Sequence, residues 1–105
     1  MVTYEITTRI DLALVARYER YMVERHIPDL LATKCFEAVA FTRAEPGRYR
    51  VRYEAPSEAA LQEYLDTHAQ RLRADFAANF PDGVQVDREI WHWLQAWPAP
   101  AGGEA

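Results

Sequence analysis

The chain has 105 residues, half of them hydrophobic and 27% charged, with a net charge of −4. That length makes one domain with one modest core, and the composition is that of a globular chain. The acidic balance argues against a protein held to nucleic acid or to an anionic membrane surface. The single cysteine, Cys35, leaves no internal disulfide and no thiolate metal cluster.

Residues 2–10 alternate strictly, with Val2, Tyr4, Ile6, Thr8 and Ile10 on one face and Thr3, Glu5, Thr7 and Arg9 on the other. Such a start reads as a half-buried strand and not as a signal peptide. No apolar run approaches a membrane span, and one unpaired thiol suits a reducing cytoplasm. Asp11 then stands as the N-cap of a helix running to Arg25 or His26. At about 100° per residue, Val15, Tyr18, Met22 and His26 form its inner stripe, flanked by Leu14, Tyr21 and Val23. Pro28 is expected to push Ile27 out of the helical region and end the run.

Strand two spans 35–43, the turn "EPG" follows, and strand three spans 48–54. Tyr49, Val51 and Tyr53 there oppose Arg48, Arg50, Arg52 and Glu54, and so short a connection makes the pair a hairpin. Ser57 caps a second helix whose stripe is Leu61, Leu65, His68, Leu72, Phe76 and Phe80, until "FPDG" stops it. The last strand spans 84–94. Val84, Val86, Ile90 and Leu94 lie on one side, and Gln85, Asp87, Glu89, Trp91 and Trp93 on the other. The tail "PAPAGGEA" from Pro98 reads as disordered, leaving residues 1–97 as the domain.

The order β-α-β-β-α-β is the α+β, ferredoxin-like arrangement: a four-stranded antiparallel sheet with both helices on one face. Its second face carries Glu5, Arg9, Arg50, Arg52, Glu54, Asp87 and Glu89. Trp91 and Trp93 share that face, and Val39 and Phe41 are placed there too. Two indoles on an otherwise wet sheet make a patch that a second copy would cover, closing a dimeric α+β barrel with a partly polar cavity. Arg50, Arg52, Trp91, Trp93 and Phe41 are the ligand-binding candidates, because stacking rings beside cations suit a small aromatic or anionic metabolite.

His26 shares its stripe with Glu19, two turns earlier, and the two are candidates for one water or ligand between them. A histidine on an apolar helix face also has a plain reading, as a neutral packed ring bonded to a nearby oxygen, and so does His68. His26, His68 and His92 lie on three elements without chelate spacing, so no metal is expected. Cys35 has no base beside it and reads as packing. No phosphate loop, nucleophile elbow or His-Glu-x-x-His occurs, so no cofactor is expected either. "GRYRVRYE" (47–54) resembles the third strand of RNA-recognition domains, but its arginines take the face where stacking rings are needed.

"HIPDLLATKCF" (26–36), "YRVRYE" (49–54) and "HAQRLRADFAANF" (68–80) resemble the bacterial domain-of-unknown-function 4286 family over residues 2–94. Lys34 stands where that family commonly has glycine, and Tyr18 and Tyr21 where it has tryptophans. The family implies no activity. More distantly, a helix ending in His-x-Pro ahead of strand two is similar to dimeric α+β-barrel proteins, among them cofactor-independent monooxygenases and small isomerases. That resemblance implies a cavity-lining role for His26, with Glu19 as its partner.

Three functions follow as expectations. The first is a homodimer holding a small metabolite. The second is a cofactor-independent enzyme using His26 for proton transfer, with Arg50 or Arg52 steadying negative charge. The third is a structural or interaction dimer without a ligand.

Overall fold

Strand β1 (Val2–Ile10) forms the spine of the sheet, hydrogen-bonded on both sides, because its alternate residues Val2, Tyr4 and Ile10 enter an apolar layer. The other strands are β2 (Ala38–Glu45), β3 (Arg48–Ala55) and β4 (Val84–His92), in the order β2-β3-β1-β4 with antiparallel neighbours. This computed structural model describes residues 1–98, so the tail expected to be disordered lies, past Pro98, outside the described residues. Tyr18 of the first helical segment packs on Tyr49 of β3, and Tyr64 of the second packs on Tyr4 of β1. Both segments therefore cover one face, the arrangement read from the sequence. Among the described residues no helix is long and apolar enough to cross a membrane.

The first segment begins at Asp11, but its carboxylate makes no capping bond. The Asp11 N–H instead donates to the Gly83 carbonyl at 2.9 Å, and a 3₁₀ turn leads into α1 (Val15–Tyr21). Pro28 does not end the run as expected. A π turn, Met22–His26, inserts an i→i+5 bond from the Ile27 N–H to the Met22 carbonyl, and α2 (Ile27–Ala32) restarts the helix. Pro28 thus falls in a first turn, where its missing N–H costs nothing and its ring meets no obligatory ladder bond. Ile27 stays helical, at φ −64° and ψ −46°.

Lys34 follows the end of α2 at φ +63°, the left-handed conformation that glycine adopts freely. The turn it makes delays β2 to Ala38, three residues after the expected start. Cys35 and Phe36 are buried ahead of that strand.

Ser57 caps α3 (Glu58–Thr67) as expected, its hydroxyl accepting from the Ala60 N–H at 3.1 Å. The expected single helix breaks at His68, and α4 (Ala69–Asn79) begins directly after it. The break rotates the buried stripe to Leu61, Tyr64, Ala69, Leu72 and Phe80, leaving Leu65, His68 and Phe76 only half-buried. Strand β4 ends at His92, so Leu94, expected on the covered side, is 97% exposed.

Candidate functional site

The π turn carries His26 at its C-terminal end, and such turns recur at functional sites. The widened turn points the imidazole inward, against Tyr21 and Phe76, each with its ring centre 5.7 Å away. Its Nδ1 is buried without a hydrogen-bond partner. Loss of water pushes the His26 pKa down to about 4, against weaker opposing pulls from Asp29 and Asp75. The ring is therefore neutral at physiological pH, with a lone pair to offer.

His26 lines a pocket between the helices and the covered face of the sheet. Tyr4, Tyr18, Tyr53 and Tyr64 line it too, with Arg73 and Arg88 among the polar residues. Two hydroxyls have partners: Tyr18 shares a 2.9 Å bond with Thr8, and Tyr4 accepts from Arg73 at 2.8 Å. Burial raises the phenol pKa of Tyr18 and of Tyr64 to about 12 and that of Tyr53 further still, so all three stay protonated donors. The cavity is about 40 Å³, room for a water or two.

The expected pairing of Glu19 with His26 is not formed. Glu19 Oε2 accepts instead from Tyr49 Oη at 2.6 Å and from Arg43 at 3.0 Å. The Tyr49 hydrogen bond, with help from Arg43, holds the Glu19 carboxyl below its usual range. Sharing a stripe did not bring the two together, because the π turn lies between them and changes the angle per residue.

The ligand-binding candidates divide between the two faces. Arg50, Arg52 and Trp91 lie on the open face, where the register sets Arg52 and Glu89 opposite Glu5, Arg50 and Asp87 opposite Thr7, and Trp91 opposite Thr3. Trp93, just past β4, leans back over β1, and its Nε1 donates to Thr3 Oγ1 at 2.8 Å. That hydroxyl in turn donates to Glu54. Phe41, expected on the open face with Val39, is on the covered one. It pairs with Val51, packs 5.6 Å from Tyr49 and 6.0 Å from Tyr18, and fixes the parity of β2.

The open-face residues and His26 therefore cannot line one cavity within a protomer. Nor do the indoles sit beside Arg50, since Trp91 is four residues along β4 from the Arg50 row, about 13 Å away. A groove of about 530 Å³ occupies the arginine end of the open face, lined by Arg9, Arg43, Arg48, Arg50, Thr7 and Thr42 among others.

Arg73, Arg88 and the tyrosine wall escaped the sequence reading. Arg88 did leave a signal: it is the lone cation in the apolar alternation Val84, Val86, Ile90. Tyr4 and Tyr53 were legible as core residues, but nothing in a strand pattern says that core rings border an unfilled space. Arg73 gave no signal.

Fold and pocket together define a ferredoxin-like α+β domain with a small aromatic-walled cavity between helices and sheet. The chain belongs to the family described as domain of unknown function (DUF4286), whose pattern it matches over residues 1–93. No curated protein matches it. Solved structures share the fold. A Deinococcus radiodurans protein, provisionally described as an antibiotic biosynthesis monooxygenase, aligns with a TM-score of 0.67 at 13% identity, over 96% of this chain and all of its own. The NE2512 protein of Nitrosomonas europaea, of unknown function, aligns at 0.65 with 19% identity, over 96% of this chain and 95% of its own. Rv0793 of Mycobacterium tuberculosis aligns at 0.62 with 16% identity, over 91% and 98%.

Proposed function

We propose that the chain is a homodimeric small-molecule-binding domain whose ligand, partly aromatic and anionic, occupies the His26 pocket. The observation that carries this reading is the buried Nδ1 of His26, unpartnered in a pocket walled by tyrosine rings. A buried polar atom left without a bond costs free energy that a ligand bond would recover. Aromatic walls suit a flat ring, and Arg73 and Arg88 suit its negative group. A cavity of about 40 Å³ is too small for such a ligand, so binding is coupled to displacement of α2, whose Leu30 lines the pocket. Helix α2 is six residues long and hangs from the π turn, a poor anchor.

Salicylate, benzoate and catechol, titrated while thermal unfolding and amide NMR shifts are followed, test the reading. At least one should raise the midpoint and move the signals of residues 22–32. His26→Gln and Arg73→Ala should each weaken that response. If no probe shifts the wild type, or both variants respond as it does, the pocket is not a ligand site.

Proton transfer by His26 is the second reading, favoured by its neutral ring. One fold neighbour's provisional monooxygenase description gives it a reaction to try. Oxygen uptake with a hydroquinone, lost in His26→Gln, would support it. Equal uptake in that variant would remove it.

A further inference from the structure

Three arginines meet at one end of the open face. Arg9 of β1 stands directly opposite Arg48 of β3, and Arg50, two residues along β3, stands opposite Thr7. Side chains directly across a strand pair lie about 5 Å apart at Cβ and diagonal ones about 7 Å, so three long cations share one small area. Like charges set opposite one another destabilise a sheet unless something answers them. Within the chain little does. Among the described residues Arg9 and Arg50 have no ion-pair partner, and Arg48 reaches Glu45 through Nε at 2.9 Å. All three are exposed and line the groove of about 530 Å³, with Thr7 set between β3 and β4 on its floor. That volume is in the range of small-molecule sites.

The other side of the groove is acidic. Asp87 of β4 stands opposite Thr7, about 10 Å or two strand spacings from Arg50, and among the described residues it too has no ion-pair partner. Glu5, the second carboxylate of that side, is already engaged by Arg52 at 3.6 Å. Two unanswered cations at one end and one unanswered carboxylate at the other describe a ligand. A dianion matches the arginines, and a phosphate monoester carries a charge of about −1.5 to −2 at neutral pH. Its oxygens suit the paired hydrogen bonds of guanidinium forks. A second negative group would be repelled by Asp87, whereas a hydroxyl or an ammonium would donate to it. The aromatic residue lining the groove, Tyr49, is 3% exposed and packs on Tyr18 behind the sheet, so no ring face is offered for a base to stack on.

We propose that the arginine end of the open face binds the phosphate monoester of a small polar molecule. The phosphate lies among Arg9, Arg48 and Arg50, and a hydrogen-bond donor at the ligand's other end meets Asp87. The site is built within one protomer and lies on the opposite side of the sheet from the His26 pocket, so it does not depend on the ligand proposed there.

Amide NMR titrations at constant ionic strength test the proposal, with circular dichroism to confirm that each variant folds. Ribose 5-phosphate offers hydroxyls to Asp87, phosphoethanolamine offers an ammonium, and phosphoglycolate sets a carboxylate against it. At least one of the first two should move the signals of residues 7–9, 48–50 and 87, and should bind about ten-fold more tightly than phosphoglycolate. Arg9→Gln and Arg50→Gln should each weaken that binding about ten-fold. Asp87→Asn should narrow the preference, weakening the donor-bearing monoester and strengthening phosphoglycolate. His26→Gln should leave these affinities unchanged. If neither donor-bearing monoester moves those signals at millimolar concentration, or if both arginine variants bind as the wild type does, the site is absent. A preference for phosphoglycolate, or a preference that Asp87→Asn does not alter, overturns the ligand class.

Discussion

The two faces of this sheet solve the same problem differently. On the covered face the polar atoms are mostly phenols and a threonine hydroxyl, and partners stand close: Thr8 for Tyr18, Arg73 for Tyr4, Asp75 for Tyr21. The buried ring of His26 is what that face leaves unanswered. On the open face charges stand in rows: Arg52 reaches Glu5 at 3.6 Å, while among the described residues Arg50, Asp87 and Glu89 have no ion-pair partner. The covered face holds the packed core and leaves one buried ring unanswered, whereas the open face leaves most of its charged side chains exposed.

The largest effect expected from this contrast separates one aromatic on each face. Tyr53 is 1% exposed, packed between Tyr4 and Phe36. Tyr53→Ala should cost about 4 kcal/mol of unfolding free energy, the scale of aromatic truncation in a packed core. Trp91→Ala should cost about 1 kcal/mol or less when measured in dilute protein, because half of the ring is already in water. Its effect should fall on dimerisation instead. Urea unfolding of both variants at low concentration makes the comparison, and equal losses would break the division between the faces.

The next effect comes from His26. Its folded pKa of about 4 lies below its ordinary 6.5, so between those values the unfolded chain binds more protons than the folded one. Stability therefore rises with pH across that window and falls as pH drops from 6.5 towards 4, by at most about 3 kcal/mol. His26→Gln should flatten that part of the profile. Glu19, whose folded pKa is lowered mainly by the Tyr49 hydroxyl, loses its contribution only as pH falls through its own depressed value. Unfolding curves across the range from neutral pH down to the folded His26 value separate the two groups. An unchanged slope in His26→Gln would mean that the ring is hydrated in the folded state, against the buried placement argued here.

Much of this was legible in the chain. Period-two alternation marked the four strands and the parity of β1, β3 and β4, because one face of each enters an apolar layer and any slip would bury charge. Phe41 defeated the same reasoning on β2, an edge strand with a lysine-containing turn before it, where too few alternating residues fix the parity. His26 stood out as an ionisable ring on a greasy stripe. Its setting did not, since a π turn has no residue signature and Pro28 alone looked like a stop. The Glu19 partnership failed for the same reason, because helical-wheel angles hold only while every turn has the same width. The pocket itself is made of gaps between core rings, and packing defects of that size are set by tertiary fit rather than by pattern.

The smallest expected effect lies on neither face. Lys34 holds φ +63° just past α2, where a Cβ crowds the neighbouring carbonyl and costs an L-residue about 1 kcal/mol. The Lys34 N–H donates to the Leu31 carbonyl at 3.0 Å, so the turn closes the helix end whatever the side chain. Lys34→Gly should relieve the crowding, and part of that gain is returned through the larger freedom of glycine in the unfolded chain. A net stabilisation of about 0.5 kcal/mol is expected, read as a higher urea midpoint at unchanged slope. The sheet faces, and with them the His26 pH profile and the dimer affinity, should not move. A loss of stability would mean that the lysine stem packs against α2 and offsets its own strain, and the altered turn would then have to be counted among the features that hold α2 closed over the pocket.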